Sequence, residues 1–156
     1  MDLQLIRATP QDADDLLSVQ KRCFQPLFER YRDERSPYNE PIERMLFKIG
    51  YGNVAYYKII YQRALAGGIF VYETEGGLFR VGILYVLPEC QSKGIGQKAI
   101  ALAEALHGDA VRWELDCPED LPANRRCYEK AGYRLTGRKE VINDRLTLVY
   151  YEKPRR

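Results

Sequence analysis

Hydrophobic and polar positions along the chain change period several times. Leu3-Gln4-Leu5-Ile6-Arg7 predicts a short first strand. Thr9-Pro10-Gln11-Asp12 then supplies an N-cap, a proline at the first helical position and an acid at the third. Ala13, Leu16, Leu17, Gln20 and Phe24 follow at helical spacing, in a stripe that runs out before Pro26. From Pro26 to Tyr51 acids and bases alternate among aromatics, which suggests solvated helix faces. Pro37 and Pro41 divide this stretch, and Ile42, Met45, Leu46 and Ile49 predict a short second helix.

Three runs dense in Tyr, Ile, Val and Phe come next, at Ala55 to Arg63, Leu65 to Glu73 and Leu78 to Leu87, with a tight hairpin at Glu75-Gly76-Gly77. They predict an antiparallel meander. The third run is apolar at successive positions between Val81 and Leu87, as in a central strand covered on both faces. The period then lengthens again. Ile95, Ala99, Leu102, Ala103 and Leu106 share one helical face, and His107-Gly108-Asp109 ends that helix before a strand at Val111 to Leu115. Strand, helix, strand in so short a span is a βαβ crossover, so its two strands should be parallel and its hand right-handed. A helix from Pro122 to a Gly132 stop follows, then strands at Tyr133 to Ile142 and Leu146 to Glu152 around Asn143-Asp144. The expected architecture is α/β (α+β). It is one domain over residues 1–156, with a mixed central sheet of about seven strands, an antiparallel N-terminal meander, one parallel βαβ crossover and helices on both faces.

Composition narrows the function classes. With 24 Lys+Arg against 22 Asp+Glu, no whole-molecule field points to nucleic acid or an anionic membrane. Arg125-Arg126 and the Lys153 to Arg156 tail are too short and scattered to make a nucleic-acid patch. No stretch is apolar enough to span a membrane, and the N-terminus lacks a basic-then-apolar leader pattern, so a cytoplasmic location is expected. Cys23, Cys90, Cys117 and Cys127 are scattered, with no C-x-x-C pair and a single histidine, His107. Separate thiols are expected, and a metal site is not.

The segment linking the central strand to the crossover helix, Pro88 to Lys98, carries Gly94 and Gly96 where backbone N–H groups open a helix. Such unpaired donors at the positive end of a helix favour a phosphate. The segment is neither a Walker loop, since no Gly-Lys-Ser/Thr follows, nor a dinucleotide fingerprint, since the third glycine is missing. The run from Leu84 to Gly96 resembles the acyl-coenzyme A signature of the GNAT family of N-acetyltransferases. The family's spacing of Gln or Arg, two residues, Gly, one residue, and Gly or Ala is met by Gln91, Gly94 and Gly96. The run from Asn124 to Tyr133, with Tyr128-Glu129-Lys130-Ala131-Gly132-Tyr133, resembles the family's second landmark. The order of elements is also similar to that fold from end to end.

The resemblance implies acetyl-CoA as co-substrate, transfer of its acetyl group to a primary amine of a small molecule, peptide or protein, and direct attack of that amine on the thioester. It implies that the pyrophosphate sits on Gln91, Ser92, Lys93, Gly94, Ile95, Gly96 and Gln97, and that the pantetheine arm pairs with Leu84, Tyr85 and Val86 where the central strand parts from its parallel neighbour. A backbone N–H near Val86 would polarise the thioester carbonyl, and Tyr128 would protonate the departing thiolate, which a phenol can do without being ionised at neutral pH. Asn124, one turn before Tyr128, is a further cofactor-binding candidate, although the family often places its asparagine where Leu121 stands. Lys93 and Lys98 are expected to help neutralise phosphate. Glu73, Glu114, Asp116 and Glu140 are all possible bases, and the sequence selects none of them. Acceptor choice is expected to lie in Gln25 to Tyr51 and Lys139 to Arg145, and the assembly is expected to be a monomer or homodimer. A noncatalytic acyl-CoA-binding sensor is the alternative reading: it shares the phosphate cradle but needs no acid.

Overall fold

The computed structural model describes residues 1–50, 52 and 54–154. Tyr51, which ends the expected acceptor segment, and Arg155-Arg156 of the basic tail lie outside the described residues. The chain enters at β1 (Leu3–Arg7) and turns through a short 3-10 segment capped by Thr9. Asp12 Oδ2 accepts from the Thr9 backbone N–H at 2.8 Å, closing a capping box. Helix α1 follows over Ala13–Tyr31 and differs from the sequence expectation, because it runs on through Pro26. A proline here removes the N–H that would reach the Arg22 carbonyl and crowds that carbonyl with its ring. Phe24, Leu27 and Tyr31 continue the apolar stripe on the same face, and Tyr31 is buried. The helix stops at Arg32, whose left-handed backbone (φ 52°) lets its N–H donate to Phe28 O at 2.8 Å. Helix α2 spans Ile42–Gly50.

The meander consists of β2 (Val54–Tyr61), β3 (Ala64–Glu75) and β4 (Leu78–Val86), with Gly76 and Gly77 at φ 54° and 85° supplying the two-residue turn between β3 and β4. Helix α3 (Ile95–Leu106) crosses over to β5 (Arg112–Pro118), and α4 (Pro122–Lys130) leads to the hairpin of β6 (Arg134–Asn143) and β7 (Leu146–Pro154). The seven strands lie in the order β1-β2-β3-β4-β5-β7-β6, and β4 with β5 is the parallel pair. Two cores lie on opposite faces of the sheet. Ile95, Ala99, Ile100 and Ala103 of α3 pack on Ile69, Trp113 and Leu115, while Leu16, Met45 and Ile49 of α1 and α2 pack on Tyr56, Phe70 and Ile83. Together these side chains account for the expected helices on both faces.

Two irregularities shape the middle of the sheet. The unbroken apolar run of β4 resolves into an alternation interrupted at Gly82, since Val71 pairs with Val81 but Phe70 pairs with Ile83. Phe79 and Val81 therefore face the α3 side, whereas Ile83 and Tyr85 face the α1 side. Gly82 suits this bulge because a Cβ there would lie 2.9 Å from Tyr72 Cε1 and 3.0 Å from Phe70 Cδ2. The second irregularity is a parting of strands. β4 pairs with β5 only from Leu78↔Arg112 to Arg80↔Glu114, while β5 stays paired with β7 as far as Pro118↔Leu148. From Val81 onward one edge of β4 is open.

Candidate active site

The open edge of β4 presents backbone donors. Leu87 N–H donates to Ala66 O of the adjoining strand at 2.7 Å. Strand N–H groups alternate in direction, so those of Leu84 and Val86 are turned the other way, into the gap left by β5. Gln91 approaches from the same side, its Nε2 donating to Val86 O at 3.0 Å.

Beyond β4 a turn at Pro88–Cys90 leads into the start of α3, where Ser92 and Gly94 adopt left-handed backbone (φ 64° and 78°). A serine tolerates this region poorly, and such residues concentrate where function requires the shape. Alternating backbone handedness directs successive N–H groups into one concavity. Among the described residues, the N–H groups from Ser92 to Gln97 have no protein acceptor, and the first to find one is Lys98, which donates to Gly94 O at 3.0 Å. The first turn of α3 carries no acid to compete for them. These donors, with the helix dipole behind them, make the anion cradle that a diphosphate needs. The two glycines serve it differently. Gly94 supplies positive φ, and a Cβ there would meet only Met1 Cε at 4.0 Å, whereas a Cβ on Gly96 would point at Cys127 Sγ (3.4 Å) and Leu84 Cδ2 (3.9 Å), between β4 and α4.

A cleft of about 480 Å³ runs inward from this cradle. Leu84, Tyr85 and Val86 form one wall, Asn124, Cys127 and Tyr128 of α4 the other, and Gln91, Ser92, Gly94, Ile95, Gly96 and Gln97 its mouth. The fold thus brings together the sequence-predicted catalytic and cofactor residues except Lys98, which does not line this cleft, and the side chain of Lys93, whose ammonium lies 5.7 Å over the Tyr61 ring instead. Tyr85 contributes main chain only, since its hydroxyl turns into the opposite core against Tyr56 Oη at 2.6 Å. The sequence reading missed the wall made by Cys23, Phe24 and Leu27, and also Cys90, Arg126 and Lys130. The apolar spacing of Phe24 and Leu27 across Pro26 was the available signal.

Tyr128 is 8% exposed and its ring meets Tyr151 edge-on. No hydrogen bond engages its hydroxyl among the described residues, and Tyr128 lines the cleft. Burial, with the nearby Cys117 and Cys127 thiols and Asp116 adding smaller effects, pushes its pKa far above the ordinary 10.0. The phenol is therefore neutral across the physiological range and can donate to an atom arriving in the cleft. Burial also pushes Cys23 up to about 11 and Cys117 up to about 12, and raises Cys127, so these thiols are protonated near neutral pH and poor nucleophiles. His107 is engaged elsewhere, with Nε2 2.9 Å from Tyr57 Oη.

The four carboxylates are now separable. Glu73 accepts the Gly77 N–H in the hairpin, and Glu140 accepts the Tyr150 hydroxyl. Glu114 and Asp116 flank Arg80 where β4 and β5 part; Asp116 is its direct ion-pair partner and Glu114 stands 3.8 Å away. Burial raises the Asp116 pKa even though Arg80 opposes the shift.

No curated protein is similar enough to match the sequence. Many solved structures share its fold. PaiA N-acetyltransferase from Thermoplasma acidophilum, seen with coenzyme A, is similar at a TM-score of 0.79 and 17% identity, over 99% of this chain and 100% of that one. An acetyltransferase from Salmonella typhimurium that modifies the N-terminal serine of ribosomal protein L7/L12 is similar at 0.79 and 18% identity, over 100% and 96% of the two chains. AAC(6')-Ib, in complex with ribostamycin and coenzyme A, is similar at 0.75 and 20%, over 99% and 94%. At such identities these likenesses speak to the fold, and the family follows from sequence. The family model for the acetyltransferase (GNAT) domain matches residues 51–135, from the meander through the cradle and α4. With both the strand-parted sheet and that match in hand, the chain belongs to the GNAT family of acetyltransferases, whose co-substrate is acetyl-CoA.

Proposed function

We propose that residues 1–156 work as one acyltransferase domain that moves the acetyl group of acetyl-CoA onto a primary amine of a small molecule, peptide or protein. The observation that carries this reading is the meeting, in one cleft, of the unpaired Ser92 to Gln97 N–H groups with the unpartnered Tyr128 hydroxyl. The cradle holds the diphosphate, which aims the thioester along the Leu84 to Val86 edge. There the Val86 N–H faces the position where negative charge develops on the carbonyl oxygen. The amine nitrogen forms a bond to the carbonyl carbon, the carbon–sulfur bond breaks, and Tyr128 donates its proton to the leaving sulfur. The proton lost by nitrogen passes to water or to a carboxylate.

Amine acceptors are consistent with the similar structures, one modifying an N-terminal serine and another seen with ribostamycin beside coenzyme A. The test is release of free thiol from acetyl-CoA against polyamines, amino acids, aminoglycosides and peptide N-termini. Amine-dependent release above the rate of hydrolysis, strongly reduced by Tyr128→Phe, is the expected result. Tight acetyl-CoA binding with no release for any amine would instead favour a noncatalytic acyl-CoA sensor.

A further inference from the structure

We infer that Arg80 is a positioning residue for the thioester arm: its side chain pins the two halves of the sheet together where they part, and so sets the gap that the arm enters. The inference rests on the acetyl-CoA reading. Pairing of β4 with β5 ends at Arg80↔Glu114, whereas β5 and β7 stay paired as one ribbon to Pro118↔Leu148. The angle between β4 and that ribbon therefore pivots at Arg80. Its main chain belongs to the last register pair, but its side chain reaches farther. The guanidinium binds Asp116, two residues beyond Glu114 on β5, and stands 3.8 Å from Glu114 itself. A long side chain can span such a diagonal between neighbouring strands. One residue of β4 thus holds β5 on both sides of the point of parting.

The same guanidinium reaches β7, its Cζ lying 5.5 Å from the centroid of the Tyr150 ring, and Tyr150 stands opposite Asp116 in the register of β5 with β7. Tyr150 is itself held from β6: Arg138 Cζ lies 4.2 Å from its ring centroid, and its hydroxyl donates to Glu140 Oε1 at 2.8 Å. Arg80 therefore ties β4 to both strands of the ribbon. The Arg80 and Asp116 side chains are only 18% and 26% exposed, so salt screens this pair less than a surface one. Leverage makes the pin matter. Val86 lies roughly 20 Å along the strand from Arg80, so a rotation of about 5° at the pivot opens the gap there by about 1.7 Å, more than a hydrogen bond tolerates. The Arg112–Glu152 pair, at 3.4 Å, joins β5 to β7 and crosses no gap, which makes it the built-in comparison.

The test is isothermal titration of the whole chain with coenzyme A and with adenosine 3′-phosphate 5′-diphosphate, which keeps the diphosphate and lacks the arm. Wild type should bind coenzyme A the more tightly, and the ratio of the two affinities measures what the arm contributes. Arg80→Met should cut that ratio by about tenfold, the size of one strong hydrogen-bonded contact to the arm, while affinity for the armless ligand stays at the wild-type level. Arg80→Lys keeps a charged contact to Asp116 and should restore most of the ratio. A carboxylate left without its partner also destabilises the fold, so the double variant Arg80→Met/Asp116→Leu separates the two effects: with both charges replaced by apolar groups, Tm should return close to wild type and the ratio should stay low. Arg112→Ala should leave the ratio unchanged. A wild-type ratio in Arg80→Met and in the double variant, or an equal loss in Arg112→Ala, overturns the pin while leaving the acetyl-CoA reading in place. Failure of wild type to bind either ligand overturns both.

Discussion

Gly96 offers a graded test of the cradle, because the space its missing side chain leaves is defined on both sides. A Cβ would stand 3.4 Å from Cys127 Sγ and 3.9 Å from Leu84 Cδ2, contacts that an alanine can make with little adjustment. Gly96→Ala should therefore fold well. Replacing glycine in a helix is worth up to ~1 kcal/mol, a rise in Tm of roughly 2–4 °C for a chain of this size. Gly96→Leu keeps that backbone benefit but extends its branched end between β4 and α4, where the cleft must take the ligand. In a thermal-shift assay, acetyl-CoA at a hundred times its Kd should stabilise wild type by ~2.7 kcal/mol, or roughly 5–10 °C. Gly96→Ala should retain most of that shift. Gly96→Leu should show almost none, despite an unliganded Tm at or above that of wild type. A wild-type shift in Gly96→Leu would refute the placement of the ligand between Gly96, Leu84 and Cys127.

Other perturbations probe different links. Tyr128→Phe should lower kcat by ~10²–10⁴ for an amine found by thiol release; since its hydroxyl has no protein partner, acetyl-CoA affinity and Tm should change little, and an unaltered kcat would remove it from the chemistry. His107, the chain's single histidine, is held below its ordinary 6.5 by burial. A depressed histidine means that the unfolded chain takes up the proton first, so stability should be full above about pH 6.5 and fall as pH drops from there toward the lower folded value; an NMR titration placing His107 at or above 6.5 would contradict this. Asp12 is lowered chiefly by the Thr9 backbone N–H, with Lys58 helping. Asp12→Ala should cost ~1 kcal/mol at pH 7, measured by urea unfolding, and the deficit should shrink as pH falls from ~4 through the lower folded pKa, where the wild-type carboxylate is itself protonated.

The sequence was most readable where local rules and global packing agree. The capping box of Thr9 and Asp12, the Gly76-Gly77 turn and the stripe of Ile95, Ala99 and Ala103 each follow from neighbours a few residues away, and all appear as expected. Pro26 misled because a local rule was overridden: Phe24, Leu27 and Tyr31 keep one apolar face, and burial of that face outweighs one absent hydrogen bond. The cradle residues were legible because glycine spacing reports backbone shape directly. The other cleft wall was not, since Cys23, Phe24 and Leu27 reach β4 only through the packing of α1 across the sheet. Lys93 shows the limit of reading charge by adjacency: it sits in the cradle sequence, yet its side chain leaves for Tyr61. The parting of β4 from β5 depends on register, which hydrophobic pattern constrains only by face.

The central claim is that unpaired main-chain amides at the start of α3 hold a diphosphate and so direct a thioester along the open edge of β4. A crystal structure with coenzyme A tests it most directly. The account predicts phosphate oxygens within about 3 Å of N–H groups between Ser92 and Gln97, and the sulfur end beside Tyr128. Coenzyme A bound elsewhere on the protein, or with its diphosphate away from those amides, would contradict it.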